Sequence, residues 1–399
     1  MTEEPKRSPH PVRDWPRPAE PVDVLLVGAG FGGGHNQSAW AVREALDRVW
    51  PGVRAHVLDY LDLFPALGPV TAKGYVAMTK YWPRAYGFFH DLTGQFAPHP
   101  AWRGAVGQVG ERDFWAVLQR FDPAVLVLTH PLPATVAAGW RRAGLNVPPT
   151  ILVVTDYSVH PQWAQPGLDH YCVPNREVAD TLVRAGVDPG RIELTGIPVR
   201  QAFWDPPARD AARTRWNLPP SDSVVLFLGS ALGGLGGVSA ACRRLVVGVP
   251  DARLVVVTGR DRRLKARLDH FAARVGTDRL RVLGYVTDVA GLLAAADVLV
   301  TKAGGLTLSE ALAVGVATVI YRPIPGHEQD NAAWLARRDA ALVTDRAEEL
   351  AAAVRSLVHD PTRRAALAAA ARALGRPRAA LAVAETVRAY APRRTGVSG

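Results

Sequence analysis

The sequence predicts an α/β protein of two doubly wound, Rossmann-like domains. Short apolar runs alternate with segments of helical periodicity along most of the chain. A buried strand, glycine loop and helix open it at Val22, and the same plan recurs at Val224. With 399 residues and 48% hydrophobic content, it can bury two cores.

Residues 1–21 carry charges and prolines without an apolar centre, so we expect a disordered tail rather than a signal peptide. Val22 to Val27 is an apolar run ending in Gly28-Ala29-Gly30-Phe31-Gly32-Gly33-Gly34-His35, after which Ala39, Val42 and Leu46 step at helical spacing. Ala55 to Leu58 gives a second strand, ending at Asp59. Gly28, Gly30 and Gly33 satisfy G-x-G-x-x-G, and Asp59 lies somewhat beyond the offset of about 20 residues at which dinucleotide folds place a ribose-binding acid. A nicotinamide or flavin oxidoreductase is therefore one reading. His35, from position alone, either caps its helix or is exposed.

From Leu67 to Phe121 aromatic residues, among them Trp82, Phe88, Phe89 and Trp115, interleave with Lys73, Lys80, Arg84, Arg103 and Arg112. Such a mixture suits a membrane interface with anionic lipid, or helices packed over the sheet. No nucleic-acid module signature accompanies it. Ala124 to Thr129 and Ile151 to Thr155 are further buried strands, followed by His130 and Asp156. Polar residues at strand C-ends face the crevice of an open sheet, which places Asp156, His160 and Trp163 beside His35. Asp156 is equally suited to capping a turn. A strand from Asp169, a helix from Arg176 and a strand from Ile192 lead to Gly196-Ile197-Pro198.

Pro206-Pro207 and Pro219-Pro220 bracket a connection, giving a first domain over 22–200, a linker over 201–220, a second domain over 221–375, and a closing helix and tail over 376–399. In the second domain Val224 to Leu228 runs into the glycine loop beginning Gly229-Ser230, and strands follow at Leu254, Leu280, Val298 and Ala317. Val298 to Thr301, Gly304-Gly305 and the apolar positions Leu308, Ala311 and Leu312 read as strand, tight loop and helix. A helix N-terminus behind two glycines, with Thr307 in its first turn, is a ready site for a diphosphate. Glu310, one turn on, can accept both hydroxyls of a ribose. The next loop supplies His327, Glu328, Gln329 and Asn331 as a polar cluster for something attached to the nucleotide.

A formal charge of +10 implies attraction to an anionic partner without naming it. Cys172 and Cys242 lie far apart and suit packing thiols in a reducing compartment. No apolar run reaches the roughly 18 residues of a spanning helix.

In order and spacing, Gly32-Gly33-Gly34-His35, Val154-Thr155-Asp156-Tyr157 with His160 and Trp163, Thr195-Gly196-Ile197-Pro198-Val199-Arg200, and the stretch from Leu299 to Asn331 resemble the monogalactosyldiacylglycerol synthases and processive diacylglycerol glucosyltransferases, relatives of the lipid II-forming transferase. The resemblance implies the GT-B glycosyltransferase architecture, with both domains facing one cleft. It implies an inverting hexose transfer from a UDP-sugar to a diacylglycerol-type acceptor, with His35 as base and Asp156 as alternative base or orienting partner. The donor site would comprise Gly34, Gly229, Ser230, Arg260, Val286, Gly304, Gly305, Thr307, Glu310, His327, Glu328, Gln329 and Asn331. The acceptor or membrane side would comprise Trp82, Phe88, Phe89, His160 and Trp163. No D-x-D motif occurs, so no catalytic metal is expected and no cofactor beyond the co-substrate. The expected place is cytoplasmic, peripheral on the inner face of the membrane. A UDP-sugar epimerase or a non-catalytic binder would share the architecture.

Overall fold

The computed structural model describes residues 22–30, 34–63, 110–229, 237–276 and 278–391. The N-terminal tail, Trp82, Phe88, Phe89 and Ser230 lie outside these residues.

The first sheet contains β1 (Val24–Gly28), β2 (Ala55–Asp59), β3 (Val125–Leu128), β4 (Thr150–Val153), β5 (His170–Val173) and β6 (Ile192–Leu194). All pair in parallel, in the order β2-β1-β3-β4-β5-β6. Val24 to Val27 are wholly buried, which is why this strand reads as an unbroken apolar run rather than an alternation. Helices α1 (Gly34–Val49), α2 (Glu111–Phe121), α3 (Pro131–Arg142) and α4 (Arg176–Arg184) cover the faces. Trp115 is half-buried and meets Trp140 edge to face, ring centres 4.9 Å apart, so this member of the aromatic series packs inside the domain.

A short helix, α5 (Arg209–Arg215), precedes the second sheet of β7 (Ser223–Leu228), β8 (Ala252–Val257), β9 (Leu280–Leu283), β10 (Val298–Thr301), β11 (Ala317–Tyr321) and β12 (Leu342–Thr344), again all parallel, ordered β12-β11-β10-β7-β8-β9. Arg213 fastens the connection to this second unit. Its buried guanidinium donates to the carbonyls of Ala295, Pro219, Pro220 and Asp222 and pairs with Asp297 at 2.7 Å. The intervening helices are α6 (Val238–Gly248), α7 (Arg262–Val275), α8 (Val289–Ala295), α9 (Gly305–Val314), α10 (His327–Ala336), α11 (Ala347–His359) and α12 (Pro361–Leu374). Strand β12 escapes the sequence reading because it is three residues long and carries an exposed Val343 at its centre.

The last helix, α13 (Ala379–Tyr390), returns to the first unit: Ala380, Val383, Ala384 and Val387 share one apolar cluster with Val42, Ala45 and Leu46 of α1, all fully buried. Both cysteines are buried free thiols. The strand order reverses between β1 and β3 in one sheet and between β7 and β10 in the other, and crevices outside the strand ends at such points are where open sheets bind ligands.

Candidate active site between the two sheets

The first crevice is built around His35, the second residue of α1. Its Nδ1 lies 2.8 Å from the carbonyl oxygen of Thr129, at the end of β3, and 2.9 Å from Thr155 Oγ1, after β4. A carbonyl oxygen only accepts, so Nδ1 carries the hydrogen and the lone pair sits on Nε2, which has no hydrogen-bond partner among the described residues. Thr129 Oγ1 in turn donates to the His35 carbonyl at 2.9 Å. Burial pulls the imidazole below its ordinary 6.5, while the nearby Asp156 carboxylate opposes that effect. The ring is therefore neutral at pH 7 and equipped to accept a proton at Nε2. His130 lies edge-on at 4.6 Å and is held well below its usual range, by burial first and by His35 second.

The second crevice is built from backbone. Gly304 precedes α9 with no side-chain cap, and the first turn of α9 holds no acidic residue. The amides of Gly305, Leu306 and Thr307 are thus left for an anion, with the positive end of the helix dipole behind them. The two crevices face each other closely: a methyl group added at Gly34 would lie 3.6 Å from Leu306 Cβ. Two helix N-termini, those of α1 and α9, therefore meet across one gap. Glu310 is half-buried on α9; burial pushes its carboxyl up to about 8, against the pull of Arg200.

The remaining predicted donor residues divide. Thr307, His327 and Val286 are half-buried, Gln329 is exposed, and Arg260 is exposed with its guanidinium 5.1 Å above the Tyr285 ring. His327 begins α10 close enough to His35 to act on its charge.

Four of the predicted residues make defined contacts within the protein. Asn331 is 0% exposed and its amide is spent: Oδ1 accepts from Tyr157 N at 2.8 Å, while Nδ2 donates to Ala303 O and Asp156 Oδ1, each at 3.1 Å. It links the loop after β4 to α10. Glu328 is 1% exposed, ion-paired with Lys302 and accepting from Ile324 N at 3.2 Å, so it braces its own loop. Trp163 is 3% exposed, its ring 6.2 Å from that of His35; it backs the imidazole from within the core. Gly229 is buried and donates its N–H to Val257 O at 2.9 Å, which takes that amide away from a phosphate.

His160 is half-buried and accepts from Gln162 N at 3.3 Å, ordering its own turn. Thr129 and Thr155 contact His35, and Lys302 contacts Glu328, pairings that sequence spacing does not reveal. Strand-end threonines were the available signal for the first two. Asp59, the acid expected of a dinucleotide site, accepts from Gly30 N, Leu61 N and Asn36 Nδ2, each at 2.9 Å. It braces the first glycine loop from below.

Residues 35–199 match the monogalactosyldiacylglycerol (MGDG) synthase family, and residues 208–374 match glycosyl transferases group 1. The processive diacylglycerol beta-glucosyltransferase of Bacillus subtilis is 31% identical over 84% of this chain and 87% of its own length. That of Bacillus licheniformis is 30% identical over 85% of this chain and 87% of its own. In fold the chain is similar to Acinetobacter baumannii MurG, with a TM-score of 0.59 and 16% identity over 92% of this chain and all of that one. It is also similar to Anabaena HepE in complex with UDP-glucose, with a TM-score of 0.54 and 14% identity over 92% and 99% of the two chains.

Proposed function

Because the chain belongs to the family of monogalactosyldiacylglycerol synthases and processive diacylglycerol glucosyltransferases, we propose that it transfers a hexose from a UDP-sugar to a diacylglycerol-type lipid, with inversion at the anomeric carbon. One observation carries the site assignment: an imidazole whose Nδ1–H is committed to Thr129, with Nε2 open, stands across a narrow gap from an uncapped helix N-terminus.

In this reading the acceptor hydroxyl gives its proton to His35 Nε2 and attacks the anomeric carbon as the diphosphate departs on the opposite face. Asp156 stabilises the imidazolium that forms. The charge on the leaving diphosphate falls to the first-turn amides of α9, with the N-terminus of α1 adding its dipole. Glu310 takes the ribose hydroxyls, and His327 and Gln329 remain for the hexose. In this route the helix ends carry the leaving-group charge, without a divalent metal or further cofactor.

No helix among the described residues is long and apolar enough to cross a membrane. The acceptor is a lipid, so the reading brings the protein to the inner membrane surface as a peripheral partner, through the aromatic and basic residues from Lys73 to Arg112. Incubation with a panel of UDP-sugars and diacylglycerol vesicles tests both parts. The expected result is glycolipid from one donor, faster on anionic than neutral vesicles and slowed by salt. Turnover of a nucleotide sugar without acceptor, or no product with any donor, would overturn the transferase reading; equal rates on all vesicles would overturn the anionic surface alone.

A further inference from the structure

The loop after β4 belongs to the first sheet, yet it is seated in the second unit. Tyr157 stacks on Trp334 of α10, ring centres 4.6 Å apart and 16° between planes, and its hydroxyl lies 2.8 Å from Ser309 Oγ of α9. Its backbone N–H donates to Asn331 Oδ1. One residue earlier, Asp156 Oδ1 receives a hydrogen bond from Asn331 Nδ2. One residue earlier again, the Thr155 carbonyl presses on Gly305, where an added Cβ would sit 2.1 Å from that oxygen; any side chain there would hold the units apart. The hydroxyl oxygen of the same Thr155 lies 2.9 Å from His35 Nδ1.

The orientation of the Asn331 amide is set by its partners. Its oxygen faces the Tyr157 N–H, so its nitrogen must face Asp156 and the Ala303 carbonyl, and both hydrogens are used. Parting the units would break the Tyr157 N–Asn331 Oδ1 and Asn331 Nδ2–Asp156 Oδ1 bonds together, leaving the amide only its bond to Ala303 O in its own unit.

We propose that Asn331 is a positioning residue which, by holding Asp156, makes the acid–base pair of the first unit depend on docking of the second. The donor-binding unit thereby sets the place of a carboxylate it does not itself carry. This rests on the roles given above to His35 and Asp156.

The test compares Asn331→Ala with the wild type in UDP affinity, kcat and the pH profile of kcat. UDP affinity stays within about twofold, which also certifies the fold, while kcat falls roughly ten- to a hundredfold, as for loss of a hydrogen bond to a charged group. The acid limb moves to lower pH because Asp156 no longer supports the His35 imidazolium. His35 is also faced by Asp59 at the end of β2, His130 at the start of α3 and His327 on α10, none of which the substitution removes. In the Asp156→Asn background, Asn331→Ala adds no further loss. An unmoved acid limb, or losses that add in the double variant, would overturn the proposal. Should Asn331→Ala fail to bind UDP, Ser309→Ala decides alone: it loosens Tyr157 without touching Asp156 and shifts the limb the same way by less, or the idea fails. Wild-type kcat and pH profile in Asp156→Asn would instead remove the underlying role of Asp156.

Discussion

At the end of β10 the chain offers an anion little but backbone: an uncapped helix start, two glycines and first-turn amides without intrahelical partners. At the ends of β1, β3 and β4 it offers titratable side chains, His35, His130 and Asp156, set by threonines. The folds are nearly the same, so the contrast comes from the residues just past each strand. Backbone amides hold a fixed partial charge at any pH and suit a diphosphate. A neutral imidazole changes charge at modest cost and suits a proton. The transfer needs both, and the sequence has divided them between the two sheets.

Removing the imidazole tests the division most severely. His35→Ala should lower turnover by roughly 10² to 10⁴ and leave UDP affinity unchanged, since the base touches the acceptor and not the nucleotide. Steady-state kinetics beside calorimetric UDP titration checks this. Lost UDP binding with turnover retained would show that the first crevice also holds the anion.

Glu310 brings a titratable side chain into the backbone-built half. Glu310→Ala should weaken UDP binding by about 1.5 to 3 kcal/mol, the range for hydrogen bonds to a charged group. Unchanged affinity would leave that half to backbone alone.

A smaller effect concerns protons. With the carboxyl at about 8 in the free protein, Glu310 is largely protonated at pH 7. Ribose hydroxyls donate to the carboxylate form and so lower its pKa on binding. UDP should then release up to about one proton per site at pH 7, and its affinity should rise with pH before levelling above the free-state value. Calorimetry in buffers of different ionisation enthalpy measures the release, and Glu310→Gln should abolish it.

The strand–loop–helix plan at Val22 and at Val298 was legible because buried parallel strands are unbroken apolar runs and glycines mark the loops. The positions of His35 and Glu310 came directly from it. What the sequence did not disclose is which way α10 turns its polar residues. Glu328 and Asn331 face inward with Ala332 and Leu335, a stripe at helical spacing that could have been read as buried, whereas Gln329 and Asp330 face out. The His-Glu-Gln-Asp-Asn run looks like a uniformly polar loop because its partners, Lys302 and Tyr157, are distant in sequence. The burial of Trp163 is hidden for a similar reason: a short turn does not say which of its residues points into the core.

The return of α13 to α1 also governs how the molecule is made. Val42 and Leu46 find part of their cover in Ala380, Val383, Ala384 and Val387, so the first half leaves the ribosome with one apolar wall missing. The second sheet, by contrast, has all its strands once residue 344 has emerged. Completion therefore runs against the direction of synthesis, and the unit that starts first must shield its open side until a helix more than 300 residues downstream arrives.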